Sequence, residues 1–176
     1  MLLGAAGCSR GPLIPTYALL PEFQLTDQTG APFGSKELKG KVWVANFIFS
    51  TCAGPCPRMS SQFRALQKQT GEPEGLQFVS FTIDPARDTP AVLAAYGKRF
   101  GADSARWRFL TGPVAELNKL AAGPFYAGEI DGSLTHSTRF TLVDKTGRIR
   151  GFYDSSDTEM TRQLVADIQT VLKEGS

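Results

Sequence analysis

Lys41-Val-Trp-Val-Ala-Asn-Phe-Ile-Phe-Ser50 and the segment that follows it, Thr51-Cys-Ala-Gly-Pro-Cys-Pro57, decide the fold. The first stretch is rich in β-branched and aromatic residues, which is typical of a strand buried on both faces. Pro55 has a fixed φ that suits the first position of a helix. We therefore expect Cys52 just after the strand and Cys56 in the first turn of the helix, with both sulfurs facing one small site.

Two thiols within reach of each other indicate a disulfide, a redox couple or a metal site, and their spacing alone does not choose among the three. The alternative is a pair of buried cysteines that act only as small apolar side chains. A turn bracketed by Pro and Gly makes that alternative less favourable. Because the amides at a helix start favour negative charge, we expect the thiolate form of the Cys52 and Cys56 pair to be more accessible than usual.

Composition is that of an ordinary globular chain. The 176 residues are 41% hydrophobic and 20% charged, enough for the core of a single domain. The formal net charge is only +2 and no dense basic run occurs, so the sequence argues against nucleic-acid binding. The sequence also has no apolar run of about 18 residues, the length that a membrane-spanning helix needs.

The first residues resemble an export signal. Met1-Leu-Leu-Gly-Ala-Ala-Gly-Cys8 ends in small residues before a cysteine, as bacterial lipoprotein cleavage sites do. We therefore expect residues 1–21 to be a truncated leader remnant and a flexible, proline-containing tether, and residues 22–176 to form a single domain. Lipid on Cys8 would anchor the protein at a membrane without spanning it. The alternative is that Cys8 is an incidental thiol in a frayed tail.

The rest of the sequence alternates strand and helix patterns. A Gly-rich loop separates the last predicted hairpin from the preceding helix. The elements are a hairpin at 23–33, strands at 42–50, 76–83, 107–110, 138–143 and 148–153, and helices at 55–69, 88–100, 113–121 and 157–172, with the loop at 123–135.

This order, with cysteines at the first strand-to-helix turn, resembles the thioredoxin fold. The resemblance implies an α/β domain with a central mixed sheet flanked by helices, an N-terminal β-hairpin and an insertion loop before the final hairpin. Cys52-Ala-Gly-Pro-Cys56 is similar to the Cys-Gly-Pro-Cys of thioredoxin-like redox proteins with one residue added. Those proteins keep a cis-proline before the hairpin, where this chain has Thr135-His136-Ser137 and thus an imidazole that can bind a metal.

Three ordered blocks make the resemblance more specific. They are Cys52-x-x-x-Cys56-Pro57, Asp84-Pro-Ala-Arg-Asp-Thr-Pro90 and His136-Ser137 ahead of a strand and an Asp-x-x-Gly turn. From about Phe23 to the C-terminus the chain resembles the Sco family, also called SenC or PrrC, of copper-binding proteins for cytochrome c oxidase assembly. One departure is Ala53, because many members have Pro directly after the first cysteine.

The resemblance implies that Cys52, Cys56 and His136 are copper ligands. It also implies a partner, cytochrome c oxidase subunit II or another copper-accepting protein, and a location on the extracytoplasmic face of the bacterial cytoplasmic membrane. Two thiolates and one imidazole suit Cu(I) and, through the imidazole, Cu(II). Zinc could accept the same three ligands with a fourth donor.

Other side chains have simpler interpretations. Met59 is a candidate soft ligand, but a methionine on a helix face more often fills a core. Trp43 and Trp107 are predicted to be core residues of strands. Asp88 is predicted to cap a helix, and Asp84 is left open as part of an acidic surface that meets a partner.

Two functions remain. The first is a copper metallochaperone that delivers copper to the dinuclear copper site of cytochrome c oxidase subunit II. The second is a thiol-disulfide oxidoreductase that uses Cys52 and Cys56 to reduce the cysteines of a target. The two functions share the cysteines and differ in their need for His136. A peroxidase is less favoured, because Phe49 and Ala53 stand where a peroxiredoxin-type Thr-x-x-Cys has its threonine.

Overall fold

A computed structural model describes residues 14–174 of the chain. The strands are β1 (Gln24–Asp27), β2 (Pro32–Gly34), β3 (Val42–Ile48), β4 (Leu76–Thr82), β5 (Trp107–Thr111), β6 (Arg139–Val143) and β7 (Ile149–Asp154). The helices are α1 (Ser35–Leu38), α2 (Pro55–Gln69), α3 (Pro90–Arg99), α4 (Val114–Ala121) and α5 (Met160–Lys173).

The strands form one mixed sheet of seven strands in the order β2-β1-β5-β4-β3-β6-β7. Strands β3, β4 and β5 are parallel neighbours, whereas β6 pairs antiparallel with β3 and with β7. The N-terminal hairpin of β1 and β2 joins the sheet through an antiparallel pairing with β5. The predicted thioredoxin-like α/β fold, with its N-terminal hairpin and a loop without helix or strand before β6, is confirmed.

Strand β3 lies inside the sheet between β4 and β6, and all its residues are buried. Its side chains alternate between two apolar clusters, one on each face of the sheet. Trp107 packs in the first cluster and Trp43 in the second, so both tryptophans are core residues as predicted. Because both faces of β3 are covered, the position where this strand ends, just before the cysteines, is fixed by packing from both sides.

Helix α2 begins at Pro55, in the position that the sequence predicts. Its buried side chains recur at helical spacing and include Cys56, Met59 and Phe63, which form one face against the sheet. Met59 is completely buried and packs in the core, in agreement with its predicted role. The helix therefore carries Cys56 on its inward face.

The start of helix α3 differs from the prediction. The N-cap is Thr89, whose hydroxyl accepts a hydrogen bond from the N–H of Val92 at 3.4 Å. Pro90 occupies the start of the helix, which places the cap at the residue directly before it. Asp88 is therefore not the cap. Its side chain is completely buried and turns toward the end of β3 instead.

The described part of the predicted tether is docked on the domain. Tyr17 donates its N–H to the carbonyl of Ile149 at 2.8 Å, and the guanidinium of Arg150 donates to the carbonyls of Ile14 and Pro15. This segment therefore pairs with the start of β7. Cys8 lies outside the described residues. Within residues 14–174, no helix combines the length and apolar character needed to cross a bilayer.

Candidate metal and thiol centre

The two cysteines flank the turn between β3 and α2. Cys52 is half-buried, and its N–H donates to the carbonyl of Phe49 at 3.2 Å, which closes the turn. Cys56 is completely buried in the core cluster between helix and sheet. Both cysteines are free thiols. The end of β3 places the thiol of Cys52 near the surface, and the first turn of α2 places the thiol of Cys56 beneath it.

His136 reaches the same place from the loop between α4 and β6. The N–H of Ser137 donates to the carbonyl of Ala127 at 2.7 Å, and the Ser137 hydroxyl accepts from the guanidinium of Arg139 at 2.9 Å, so the residue next to the histidine is held on both sides. The imidazole also packs edge-on against the ring of Phe49, with 5.9 Å between ring centroids. The loop is therefore anchored where it presents its imidazole.

The hydrogen bonds of His136 assign its tautomer. Its Nδ1 lies 2.9 Å from the carbonyl oxygen of Ser137, and a carbonyl can only accept, so Nδ1 carries the proton. The Nε2 lone pair then faces the Sγ of Cys56 at 3.4 Å. An imidazole that a backbone carbonyl holds through one nitrogen, with the lone pair of the other nitrogen directed at the candidate site, is the arrangement typical of metal-binding histidines.

Of the three predicted ligands, Cys56 contacts His136 directly, with 3.4 Å between Sγ and Nε2. Cys52 is close enough to Cys56 to raise the pKa of its thiol. Within residues 14–174 there is no group of three or more His, Cys, Asp or Glu side chains already arranged to hold a metal ion. Ligand distances of about 2.0 to 2.3 Å are needed around such ions, so the donors have to close further when an ion binds. The exposed Cys52 turn is the part of the cluster that is free to do so.

Burial sets the protonation of the cluster. Desolvation raises the pKa of Cys56 to about 12, and the neighbouring Cys52 side chain acts in the same direction. The expectation that the helix start favours a thiolate is therefore wrong for Cys56, because loss of solvent outweighs the helix amides. Burial also lowers the pKa of His136, against the opposing effect of its bond to Ser137. At neutral pH, Cys56 is a thiol beside a neutral imidazole.

The buried carboxylate of Asp88 holds the segment that precedes the cysteine turn, and the sequence did not predict this role. Asp88 accepts hydrogen bonds from the N–H of Ser50 at 3.1 Å and from the hydroxyl of Thr82 at 2.5 Å. Asp84 is also buried and pairs with Arg87 at 2.8 Å, so its carboxylate does not belong to an exposed acidic surface. The Asp-Pro-Ala-Arg-Asp-Thr-Pro block marks these residues in the sequence, but no local pattern pairs Asp88 with Ser50.

Residues 13–173 match the family model described as SCO1/SenC. Among solved structures, a SCO1/SenC family lipoprotein from Bacillus anthracis str. Ames is similar, with 34% identity and a TM-score of 0.84 over 92% of this chain and 100% of that one.

Two further structures bear on the chemistry. BsSco, a member of the Sco family of cytochrome c oxidase assembly proteins with a disulfide switch, is 27% identical, with a TM-score of 0.79 over 89% of this chain and 94% of that one. ScoI of Bradyrhizobium japonicum, solved with copper bound, is 28% identical, with a TM-score of 0.72 over 88% of this chain and 100% of that one.

Proposed function

Because the chain belongs to the SCO1/SenC family, we propose that it binds copper as a cargo through Cys52, Cys56 and His136 and delivers it to the dinuclear copper site of cytochrome c oxidase subunit II. The observation that carries this proposal is the 3.4 Å approach of the His136 Nε2 to the Cys56 Sγ. A half-buried histidine that contacts one thiol of a cysteine pair is not needed for simple dithiol chemistry, but it completes a ligand set for copper.

The donor set fits the metal. Two sulfurs favour Cu(I), and the imidazole adds the harder donor that Cu(II) needs. Copper bound to ScoI of Bradyrhizobium japonicum and the description of BsSco as a cytochrome c oxidase assembly protein support the same choice for this chain. The half-buried Cys52 leaves one side of the site open, as transfer to a partner by ligand exchange requires.

The binding site is tested by titrating the reduced protein with Cu(I) against a chelator of known affinity. We expect one copper per chain, and we expect Cys52→Ser and Cys56→Ser to lose high-affinity binding and the sulfur-to-Cu(II) charge-transfer absorption. Met59→Leu is a matched control, because it removes a nearby buried sulfur that the proposal leaves out. Full stoichiometry and an unchanged spectrum in either cysteine variant would contradict the assignment.

The proposed partner is tested by copper transfer between purified proteins. Purified protein loaded with copper should transfer it to the soluble copper domain of subunit II, which is followed by the appearance of the dinuclear-site absorption. Loss of copper from the donor without that absorption would contradict subunit II as the acceptor.

A second candidate is a thiol-disulfide oxidoreductase that reduces the acceptor's cysteines before metal arrives. The two free thiols that flank the turn between β3 and α2 favour it, since cysteines four residues apart at a helix start can form a disulfide with modest movement. The disulfide switch in BsSco supports the same chemistry. His136 separates the two functions, because a dithiol reductase does not need an imidazole ligand.

The proposal includes a location at the extracytoplasmic face of the cytoplasmic membrane, with lipid on Cys8. The description of the similar Bacillus anthracis protein as a lipoprotein supports this part. Expression of the complete gene product with a radiolabelled fatty acid should label the protein, and Cys8→Ser should abolish the label. Labelling that persists in the variant would place the lipid elsewhere.

A further inference from the structure

Asp88 is an acidic side chain with no exposed surface, at 0% accessibility. Its carboxylate accepts hydrogen bonds from the N–H of Ser50 at 3.1 Å, from the Ser50 hydroxyl, and from the Thr82 hydroxyl at 2.5 Å. The Thr82 hydroxyl in turn accepts the N–H of Asp84 at 2.9 Å, which directs its own proton to Asp88. Every partner donates a hydrogen bond to Asp88, so these surroundings suit a side chain that only accepts hydrogen bonds.

The group that Asp88 holds is next to the site. Ser50 lies just beyond the end of β3, and the following turn is closed by the bond from the Cys52 N–H to the Phe49 carbonyl. Phe49 also contacts His136, since its ring packs edge-on against the imidazole with 5.9 Å between ring centroids. An anchor at Ser50 therefore fixes the segment that leads into Cys52 and packs against His136.

We propose that Asp88 is a positioning residue for the copper site. Its carboxylate holds Ser50 and thereby fixes the conformation of the turn from Phe49 to Cys52. From that conformation, Cys52 can close on an ion that Cys56 and His136 bind. Asp88 touches neither the ion nor the ligands. This inference rests on the proposed copper function, and residues that orient ligands in this way commonly change metal affinity by about 10- to 100-fold when they are replaced.

The structure provides a matched control. Asp84 is a buried carboxylate of the same loop, but its side chain pairs with the exposed guanidinium of Arg87 and not with Ser50. Asp88→Asn keeps the shape of the side chain and loses acceptor capacity, whereas Asp84→Asn makes the same change without touching the anchor. We expect Asp88→Asn to weaken Cu(I) binding about tenfold or more and to shift the sulfur-to-Cu(II) absorption. Asp84→Asn should leave both unchanged.

If Asp88→Asn does not fold, Ser50→Ala tests the same contact. This variant removes the hydroxyl donor to Asp88 and keeps the backbone donor. It should produce a smaller loss of copper affinity in the same direction. Wild-type affinity and spectrum in a folded Asp88→Asn protein, or in Ser50→Ala where that is the only folded variant, would overturn the inference.

A copper-free measurement separates this inference from the proposed function. The equilibrium between the reduced cysteine pair and its disulfide is measured in glutathione buffers, where one glutathione disulfide is reduced to two glutathione molecules as the Cys52 to Cys56 bond forms. A shift of that equilibrium in Asp88→Asn or Ser50→Ala, but not in Asp84→Asn, supports the positioning role even if the wild-type protein fails to bind copper. An equilibrium that none of these variants shifts would overturn it.

Discussion

The Sγ of Cys56 and the Nε2 of His136 lie 3.4 Å apart although 80 residues separate them in the chain. The thiol comes from the first turn of α2, and the imidazole comes from the long loop that precedes β6. The sheet connects these two positions, because β6 pairs directly with β3, and β3 leads into the cysteine turn. The contact is therefore a product of the sheet order and not of local sequence.

The two thiols should differ in their rate of alkylation. Cys56 is completely buried with a pKa of about 12, so only about 1 in 10,000 of its thiols is ionised at pH 8. Cys52 is half-buried and reachable. Iodoacetamide at pH 8 should modify Cys52 much faster than Cys56 in the reduced protein, as measured by peptide mass spectrometry over time. Equal rates in the folded protein, compared with the urea-unfolded protein as control, would contradict the burial of Cys56.

Copper affinity should depend on pH in a defined direction. Cu(I) binds thiolates, and Cys56 keeps its proton up to a pKa of about 12, so binding must release that proton throughout the neutral range. Raising the pH therefore favours binding, by about tenfold per pH unit from this thiol alone between pH 6 and 8. The neutral His136 adds little to this dependence, because burial lowers its pKa. Competition titrations at three pH values check the slope, and a flat profile would mean that Cys56 is not a ligand.

The sequence alone was sufficient to predict the strands and helices that depend on local patterns. The all-buried strand β3, the start of α2 at Pro55 and the hairpin of β6 and β7 follow from residue type and spacing over short stretches. The pairing of His136 with the cysteines came from resemblance to a family. A single histidine in a loop has no local signal that shows which strand end it faces.

The predictions that failed concern burial. The thiolate of Cys56 was expected from the positive end of a helix, and the cap at Asp88 was expected from the Asp-Thr-Pro sequence. In the structure, the core excludes water from Cys56, and the donors of Ser50 and Thr82 draw the Asp88 side chain inward. Both outcomes depend on residues distant in sequence, and periodicity does not carry that information.

Adding a single methyl group at Gly128 should disturb the loop that carries His136. Gly128 has a φ of +109°, and a Cβ there would lie 3.1 Å from the Thr135 carbonyl oxygen and 3.7 Å from the His136 Cα. Gly132 of the same loop also has a positive φ, +88°, but a Cβ there would meet nothing within 4 Å. Each Gly→Ala change costs about 1 kcal/mol or more in backbone strain.

Only Gly128→Ala should therefore displace the histidine. We expect it to weaken Cu(II) binding several-fold relative to Gly132→Ala, with similar thermal stability in the two variants. The comparison uses Cu(II) titration followed by absorption, and the melting temperature of the copper-free proteins is the control. Equal copper affinities would show that the backbone at Gly128 does not position the imidazole.

Oxidation should exclude copper. Cys52 and Cys56 are free thiols on either side of one turn, so their sulfurs can join with modest adjustment of that turn, and a disulfide has no thiolate to offer a metal. Mild oxidation should give a protein that is 2 Da lighter, a mass change of two hydrogens, and that takes up no Cu(I) until it is reduced. Peptide mapping should find the Cys52 to Cys56 link. A bond from Cys8 to either residue would show that the N-terminal segment reaches the site.

The role of His136 decides between a copper carrier and a dithiol reductase. Its Nε2 faces Cys56, while its Nδ1 is held by the Ser137 carbonyl, so His136→Ala removes a metal donor without removing either thiol. We expect this variant to form and reduce its disulfide as the wild-type protein does. It should lose most Cu(II) affinity, because two sulfurs alone are too soft for that ion, and a smaller part of its Cu(I) affinity. In a copper-limited strain, His136→Ala should abolish oxidase activity as Cys52→Ser does. Normal oxidase activity with His136→Ala, together with its loss in Cys52→Ser, would favour the reductase, because then only the dithiol is required.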